Sequence, residues 1–352
     1  MKQFLTVLAL LGLALPLAAQ SQPAQPFGEK IDVNAVLVDA IVTDANGHQI
    51  LGLGPRDFVI KENGVPQTID SVDYFTNRRM LDAREENSGL NINHVREERY
   101  YILFFDKPSD NQMFDQVALA RNAARDWVKN NLQPADKVAV IAHDVRLKVF
   151  SDFTSDHAQL ERALADVATF GKGLSTSQAG DEPSILRHLD QKKMMSKSGT
   201  VYEALTLLGD AVRPIHARKD MILISPGIHE PGETIRGGVI LNKSRFYAPM
   251  VQALNAANVT VYPVQLMKDA PSIPLVHQNL ESVAADTNGE YFRFTTNFTP
   301  ALTKIEEQTN GYYLITYRAS HAGGAKGYQK IQVAARNPEF RIKAREGYVF
   351  GE

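Results

Sequence analysis

Apolar residues follow two rhythms along this chain. From Tyr100 to Phe105 they are continuous, and the run ends on Asp106, followed by Lys107, Pro108, Ser109 and Asp110. A continuous apolar run of strand length predicts a strand buried on both faces, as in a parallel sheet. It would deliver Asp106 to the carboxyl edge, where open α/β folds place their ligands. Val138–Ile141, Met221–Ile224, Val259–Val264 and Glu290–Phe294 read as further strands. Between them the period changes to 3.6. Met113, Val117, Ala120, Ala124 and Val128 share one helical face, as do Leu160, Leu164 and Val167, and then Tyr247, Met250 and Leu254. A last helix is expected near 300–309. Strands alternating with helices predict a doubly wound, Rossmann-type parallel sheet over residues 99–309.

Both ends of the chain keep the other rhythm, the period of two. Residues 30–77 alternate apolar and polar around turn signals at Asn46-Gly47 and Asn63-Gly64. Residues 310–352 do the same in Tyr312–Tyr317, Tyr328–Ala334 and Phe340–Ala344, with a Gly-rich turn from His321 to Gly327. Neither set has enough strands to stand alone. The expectation is that they pair into one β-sandwich with the α/β domain inserted in it, the alternative being two separate β appendages. Residues 78–98 are charged and aperiodic and read as a linker. Gly171 to Ser198 is also weakly periodic, and reads as a long surface loop with one short helix near Ile185 to Leu189 and little share in the core.

Lys2, the apolar run Phe4–Leu15, Pro16 and the small residues Ala18 and Ala19 make residues 1–20 read as a signal peptide, too short to span a bilayer comfortably. No other stretch approaches membrane length. The expected location is the periplasm or the exterior. Across 352 residues there is no cysteine, so neither a disulfide nor a lipid-modified cysteine is available. A net charge of -2 and a pI near 6.5 argue against nucleic acid as a partner.

Asp106 at a strand end, Pro134-Ala135-Asp136 before the next strand, Gly199-Thr200 at a helix start and Ser225-Pro226-Gly227 after a third strand together resemble a von Willebrand factor type A (VWA) domain. The ends are closer still. Val33–Asp44, Asp57–Gly64, Gly311–Tyr317 and Arg341–Tyr348 resemble the opening and closing patterns of the VWFA-related secreted proteins abundant in acidobacteria. The resemblance implies a metal site built from an Asp-x-Ser-x-Ser strand end, a Thr from a second loop and an Asp from a third, with one position left for an acidic group of a partner. Asp106 matches the first ligand and Thr200 the Thr. Pro108 and Asp110 stand in the serine positions, Ser109 is displaced by one, and Pro226 replaces the third-loop Asp, so two of five positions survive. Asp106, Ser109, Asp110 and Thr200 could hold Mg²⁺ or Ca²⁺ in altered geometry. Alternatively, Asp106 caps the following turn and Thr200 caps its helix. The near-octahedral order that Mg²⁺ demands favours the capping roles and a degenerate site.

The nine histidines show no paired ligand spacing, and there is no Gly-x-Ser-x-Gly elbow and no phosphate-binding glycine loop. Gly323–Gly327 lies between two strands and is a hairpin loop. The aromatic residues between Tyr312 and Phe350 read mostly as sandwich core. The function expected is therefore a non-enzymatic binding or adhesion module with a protein partner and no resident cofactor. Its ligand edge would comprise the loops after Phe105, at 171–200, at 225–235 and after Val264. The alternatives are a metal-dependent VWA adhesion protein, and a hydrolase using residues such as Asp106 and His229.

Overall fold

The computed structural model describes residues 31–45, 47–76, 92–93, 98–108, 113–228, 234–236, 239–242, 245–266, 275–293, 296–309, 311–322 and 326–350. The expected signal peptide 1–20, most of the expected linker, Ser109, Asp110, His229 and the turn at Gly323 and Gly324 lie outside them.

Five β elements precede the α/β part: β1 (Ile31–Thr43), β2 (Phe58–Glu62), β3 (Val65–Gln67), β4 (Ile69–Thr76) and β5 (Ile92–Asn93). The α/β part then runs β6 (Tyr100–Asp106), α1 (Phe114–Asn131), β7 (Lys137–His143), β8 (Leu147–Thr154), α2 (His157–Val167), α3 (Ile185–His188), α4 (Gln191–Ser196), α5 (Val201–Val212) and β9 (Lys219–Ser225). It continues through the small hairpin β10 (Thr234–Arg236) and β11 (Val239–Asn242), then α6 (Tyr247–Ala256), β12 (Val259–Gln265), α7 (Leu275–Asp286) and α8 (Thr299–Thr309). The chain returns to β structure in β13 (Gly311–Ala322), β14 (Gly327–Ala335), β15 (Arg341–Ala344) and β16 (Gly347–Phe350).

The central sheet has the order β12-β9-β6-β7-β8. β6 is its middle strand, parallel to β7 and β9, and every one of its seven residues is buried. Successive side chains of a strand point to opposite faces. Accordingly Ile102 and Phe104 pack with Leu205, Leu208, Met250 and Leu254 of α5 and α6, while Tyr101, Leu103 and Phe105 pack with Ala124, Trp127, Leu160 and Leu302 of α1, α2 and α8. Each such large side chain contributes roughly 1.5–3 kcal/mol through burial.

Three details depart from the sequence expectation. The sheet is mixed, because β8 returns antiparallel to β7 and forms the edge. Of the strand expected over Glu290–Phe294, Phe294 lies outside the described residues, and from Glu290 to Arg293 only Phe292 bridges to Val264, exchanging backbone hydrogen bonds with Pro263 and Gln265 at 2.9 and 3.0 Å. The preceding Gly289 lies so close to β12 that a Cβ there would be 1.7 Å from the Val261 carbonyl oxygen. Finally, 171–198 is not a surface loop with little core. Ile185, Leu186, Leu189 and Met194 are buried in one helical layer, and the Asp152 carboxylate anchors α3, accepting from the Ser184 hydroxyl (2.6 Å) and from the N–H groups of Ile185 (2.7 Å) and Leu186 (3.2 Å). α3 and α4 hold only four and six residues, too short for a 3.6 period to show in the sequence.

The terminal segments do pair. β1 and β13 run antiparallel from Ile31↔Ala322 to Ala40↔Tyr313, within a sheet ordered β15-β1-β13-β4-β5. The facing sheet, β16-β14-β2-β3, joins β14 to β2 by Ile331↔Glu62 and its neighbours. Each sheet therefore takes strands from both ends of the chain, so the two segments are not separate appendages. Val38, Ala40, Phe58, Ile60, Ile315 and Tyr317 fill the space between the sheets. Glu62 is buried there and satisfied by two phenols, Tyr317 (2.8 Å) and Tyr348 (3.0 Å), which donate to its Oε2. Burial and the Glu62 carboxylate push both phenol pKa values up.

The far end of the parallel sheet faces this sandwich and is held by charge. The buried Arg99 guanidinium grips Asp136 at 2.7 and 2.5 Å, Arg218 holds Asp220 at 2.8 Å, and the Asn258 side-chain amide donates to Asp39 of β1.

Candidate functional site

Asp106, His143, Ser225 and Gln265 close β6, β7, β9 and β12 on one edge of the sheet. The register pairs Asp106 with His143, and Phe105 with Ile224, so that Asp106 and Ser225 leave the sheet side by side. Asp106 is buried, 5% exposed as a residue. Its Oδ2 accepts from the Ser225 hydroxyl at 2.7 Å, and the Ser225 oxygen in turn accepts from the Gly227 N–H at 3.1 Å. His143 Nδ1 is 3.5 Å from Asp106 Oδ1, longer than an ordinary hydrogen bond. The other ring nitrogen, Nε2, lies 3.1 Å from the Ser198 carbonyl oxygen. A carbonyl can only accept, so the hydrogen sits on Nε2 and donates.

His143 thus joins the strand-end carboxylate to the loop that carries Thr200. Ser198 is fixed from its other side: its hydroxyl donates to the Met194 carbonyl and accepts from the Leu147 N–H at 3.0 Å. Thr200 is the N-cap of α5. Its Oγ1 accepts from the Glu203 N–H at 3.2 Å, and Glu203 Oε2 accepts back from the Thr200 N–H at 3.1 Å and from its hydroxyl at 3.2 Å, a capping box. Asp106, by contrast, takes its hydroxyl partner from β9; the residues 109–112 that it would cap lie outside the described residues.

Of the four residues singled out in the sequence, Asp106 and Thr200 sit on the same edge but on separate hydrogen-bonded systems, bridged through His143 and Ser198. Ser109 and Asp110 are outside the described residues. His143 and Ser225 were missed. Their signal was positional: each ends an apolar run at the same register as Asp106, visible once the three strand ends are aligned.

The oxygens that would bind a divalent cation are engaged by protein hydrogens, Asp106 by Ser225 and Thr200 by its own cap. Among the described residues no three His, Asp or Glu side chains converge. Pro226 brings neither carboxylate nor N–H to the edge. Asp106 and Thr200, the two candidates among the described residues, do not by themselves make the hard-oxygen cage that Mg²⁺ needs.

The Ser225 hydroxyl donates to the Asp106 carboxylate rather than to His143, and His229, the other residue of the hydrolase alternative, lies outside the described residues.

Above this buried polar floor the rim is exposed. The β7–β8 turn carries Val145, α4 carries Lys192, Lys193 and Met195, and Lys197 caps the C-terminus of α4. The turn is rigid because Asp144 accepts from the Val145 N–H (2.6 Å), the Arg146 N–H (3.4 Å) and the Lys148 ammonium (2.7 Å). Burial alone would raise the Asp144 carboxyl, yet Lys148 and the two N–H groups hold it below its ordinary value.

No family profile and no curated protein matches the chain. Solved structures similar to it include an aerotolerance-related membrane protein from Bacteroides fragilis, 14% identical over 60% of this chain and 98% of that one, with a TM-score of 0.40. A von Willebrand factor type A protein from Catenulispora acidiphila is 10% identical over 92% of this chain and 74% of the other, with a TM-score of 0.42. The vWF domain of the type V pili tip protein Mfa5 from Porphyromonas gingivalis is 14% identical over 61% and 96%, with a TM-score of 0.38. Two of these three are described as von Willebrand factor type A or vWF-domain proteins, and likeness at this level carries no argument. The chain's own strand order makes it a mixed α/β protein, a mainly parallel sheet set between the strands of an antiparallel sandwich. No described helix is long and apolar enough to cross a membrane.

Proposed function

We propose that this protein is a non-enzymatic binding module of the VWFA-related secreted type, acting in the periplasm or outside the cell on a protein partner. Its working parts would be a sandwich from residues 30–77 and 310–352 and a VWA-like domain from 99–309. The ligand face is the sheet edge carrying Asp106, with the rim of the β7–β8 turn and α4. One observation carries this reading: the strand-end carboxylate that would serve metal or catalysis is enclosed by Ser225 and His143, while the rim above it is open. The metal site is accordingly degenerate, and binding runs through the rim side chains.

The test is affinity capture from the native envelope fraction with the purified protein, in parallel with and without a chelator. The expected outcome is a specific protein partner retained in chelator. A partner released by chelator and restored by Mg²⁺ would install the metal-dependent adhesion reading instead.

A further inference from the structure

The rim has a chemistry of its own, and from it we infer that the face formed by Val145, Arg146, Met195 and the lysines of α4 and its C-cap binds an acidic peptide segment of a partner protein, one in which an aliphatic side chain is flanked by carboxylates. This rests on the binding-module reading above and names the partner's chemistry.

α4 has the sequence Gln-Lys-Lys-Met-Met-Ser. Met194 is 4% exposed and roots the helix in the core, so its neighbour Met195 is turned outward and left 60% exposed. Val145, in the adjoining turn, is 67% exposed. These two are the most open large hydrophobics of the described α/β domain. Arg146 brings them together: its Nε donates to the Met195 carbonyl at 2.6 Å and its Nη1 to the Val145 carbonyl at 2.7 Å. The apolar pair therefore stands on a fixed backbone. An exposed methionine beside an aliphatic residue makes an adaptable contact for an apolar side chain.

Charge identifies what flanks that side chain. Lys192, Lys193 and Lys197 are exposed, and none of them forms an ion pair among the described residues. The nearest acid in sequence, Asp190, is consumed as the N-cap of α4, accepting from the N–H groups of Lys192 (2.8 Å) and Lys193 (3.3 Å). From Gln191 to Tyr202 there is no Asp or Glu, although the whole chain carries a net charge of -2. A concentrated positive rim on a slightly acidic protein steers and selects a negatively charged partner. A peptide fits better than a bilayer, because the apolar contact is two aliphatic side chains wide and no large aromatic among the described residues is exposed for insertion at an interface.

The experiment selects displayed random dodecapeptides on the immobilised full chain, then measures the enriched peptides in solution against three variants. These are Lys192→Glu with Lys193→Glu, Lys197→Glu, and Val145→Ser with Met195→Ser. All replaced side chains are exposed, so the fold is retained, and circular dichroism verifies it. The expected result is enrichment of Asp and Glu around Leu, Ile, Val or Met. Affinity should fall about tenfold in the double-glutamate variant and weaken with salt, with a loss of several-fold in the serine variant. Acidic peptides that bind all variants alike would overturn the inference, as would enrichment of neutral or basic sequences; in both cases binding lies elsewhere and the module reading stands. No enrichment at all also overturns it, and the envelope capture then decides the broader reading by itself. Lysine-dependent binding to phosphatidylglycerol vesicles without peptide binding would assign the rim to a membrane surface and likewise overturn it.

Discussion

Lys219 opens β9 with its side chain wholly buried, and its ammonium donates to two backbone carbonyls, Ile215 at 2.6 Å and Ala217 at 2.7 Å. Burial pushes its pKa down to about 7; Asp39 across the seam acts to raise it and Arg345 to lower it further. In the unfolded chain the group titrates near the ordinary lysine value of 10.5. Between those two values the unfolded state binds more protons than the folded one, so stability rises with pH through that window and is lowest below it. At roughly 1.4 kcal/mol per pH unit the whole window is worth at most about 5 kcal/mol. Lys219→Met removes the titration and leaves two carbonyls without their donor, a cost of about 1–3 kcal/mol for each that stays unsatisfied. The variant should therefore compare best with the parent in mild acid and worst in alkali. Urea unfolding of both proteins from about pH 6 to about pH 9.5 should show their stability difference moving by about 3 kcal/mol in the parent's favour. Taking the difference cancels the other titrating groups, Lys343 and Arg345 included, as far as they are unaffected by the substitution. A difference constant to within about 0.5 kcal/mol across that range would refute a buried, uncompensated ammonium at this position.

Three further outcomes follow from the site and the segment beside it. Thr200→Ala should cost about 1 kcal/mol in chemical denaturation through loss of the α5 cap, and an unchanged midpoint would remove Thr200 from the cap. Deleting 171–198 should abolish cooperative unfolding, since Ile185, Leu186, Leu189 and Met194 leave one helical layer together; the single change Ile185→Ala should already cost about 2–5 kcal/mol, and a deletion that melts within a few degrees of the parent would show that the segment is dispensable. Mg²⁺ or Mn²⁺ added to chelator-treated protein should leave the melting temperature unchanged, whereas a working site would add about 2.7 kcal/mol at a hundredfold excess over Kd. Calorimetric binding of either metal that disappears in Asp106→Ala would restore a functional cation site.

The period of the apolar pattern was enough to decide a good deal about this chain. Six consecutive apolar residues before Asp106 demanded burial on both faces, and β6 is the middle strand of its sheet. Alternation at both termini, in sets too small to stand alone, demanded partners, and β1 found β13 while β2 found β14. Local rules also placed Thr200 at a helix N-cap, since that role depends only on residues within one turn. What the sequence left open is what depends on contacts between distant segments. α3 and α4 are too short to display a period, so only the layer they pack against shows that 171–198 belongs to the core. Tyr291 to Arg293 carries strand-forming residues, but it meets β12 in a single bridge at Phe292, beside the close approach of Gly289 to Val261. The enclosure of Asp106 is the clearest case: Ser225 lies 119 positions away, and His143 reaches Ser198 across 55. Hydrogen-bond partners at such separations are set by strand order and register, which a one-dimensional pattern does not carry, so only the folded sheet decides that this carboxylate is bonded to Ser225 inside the protein.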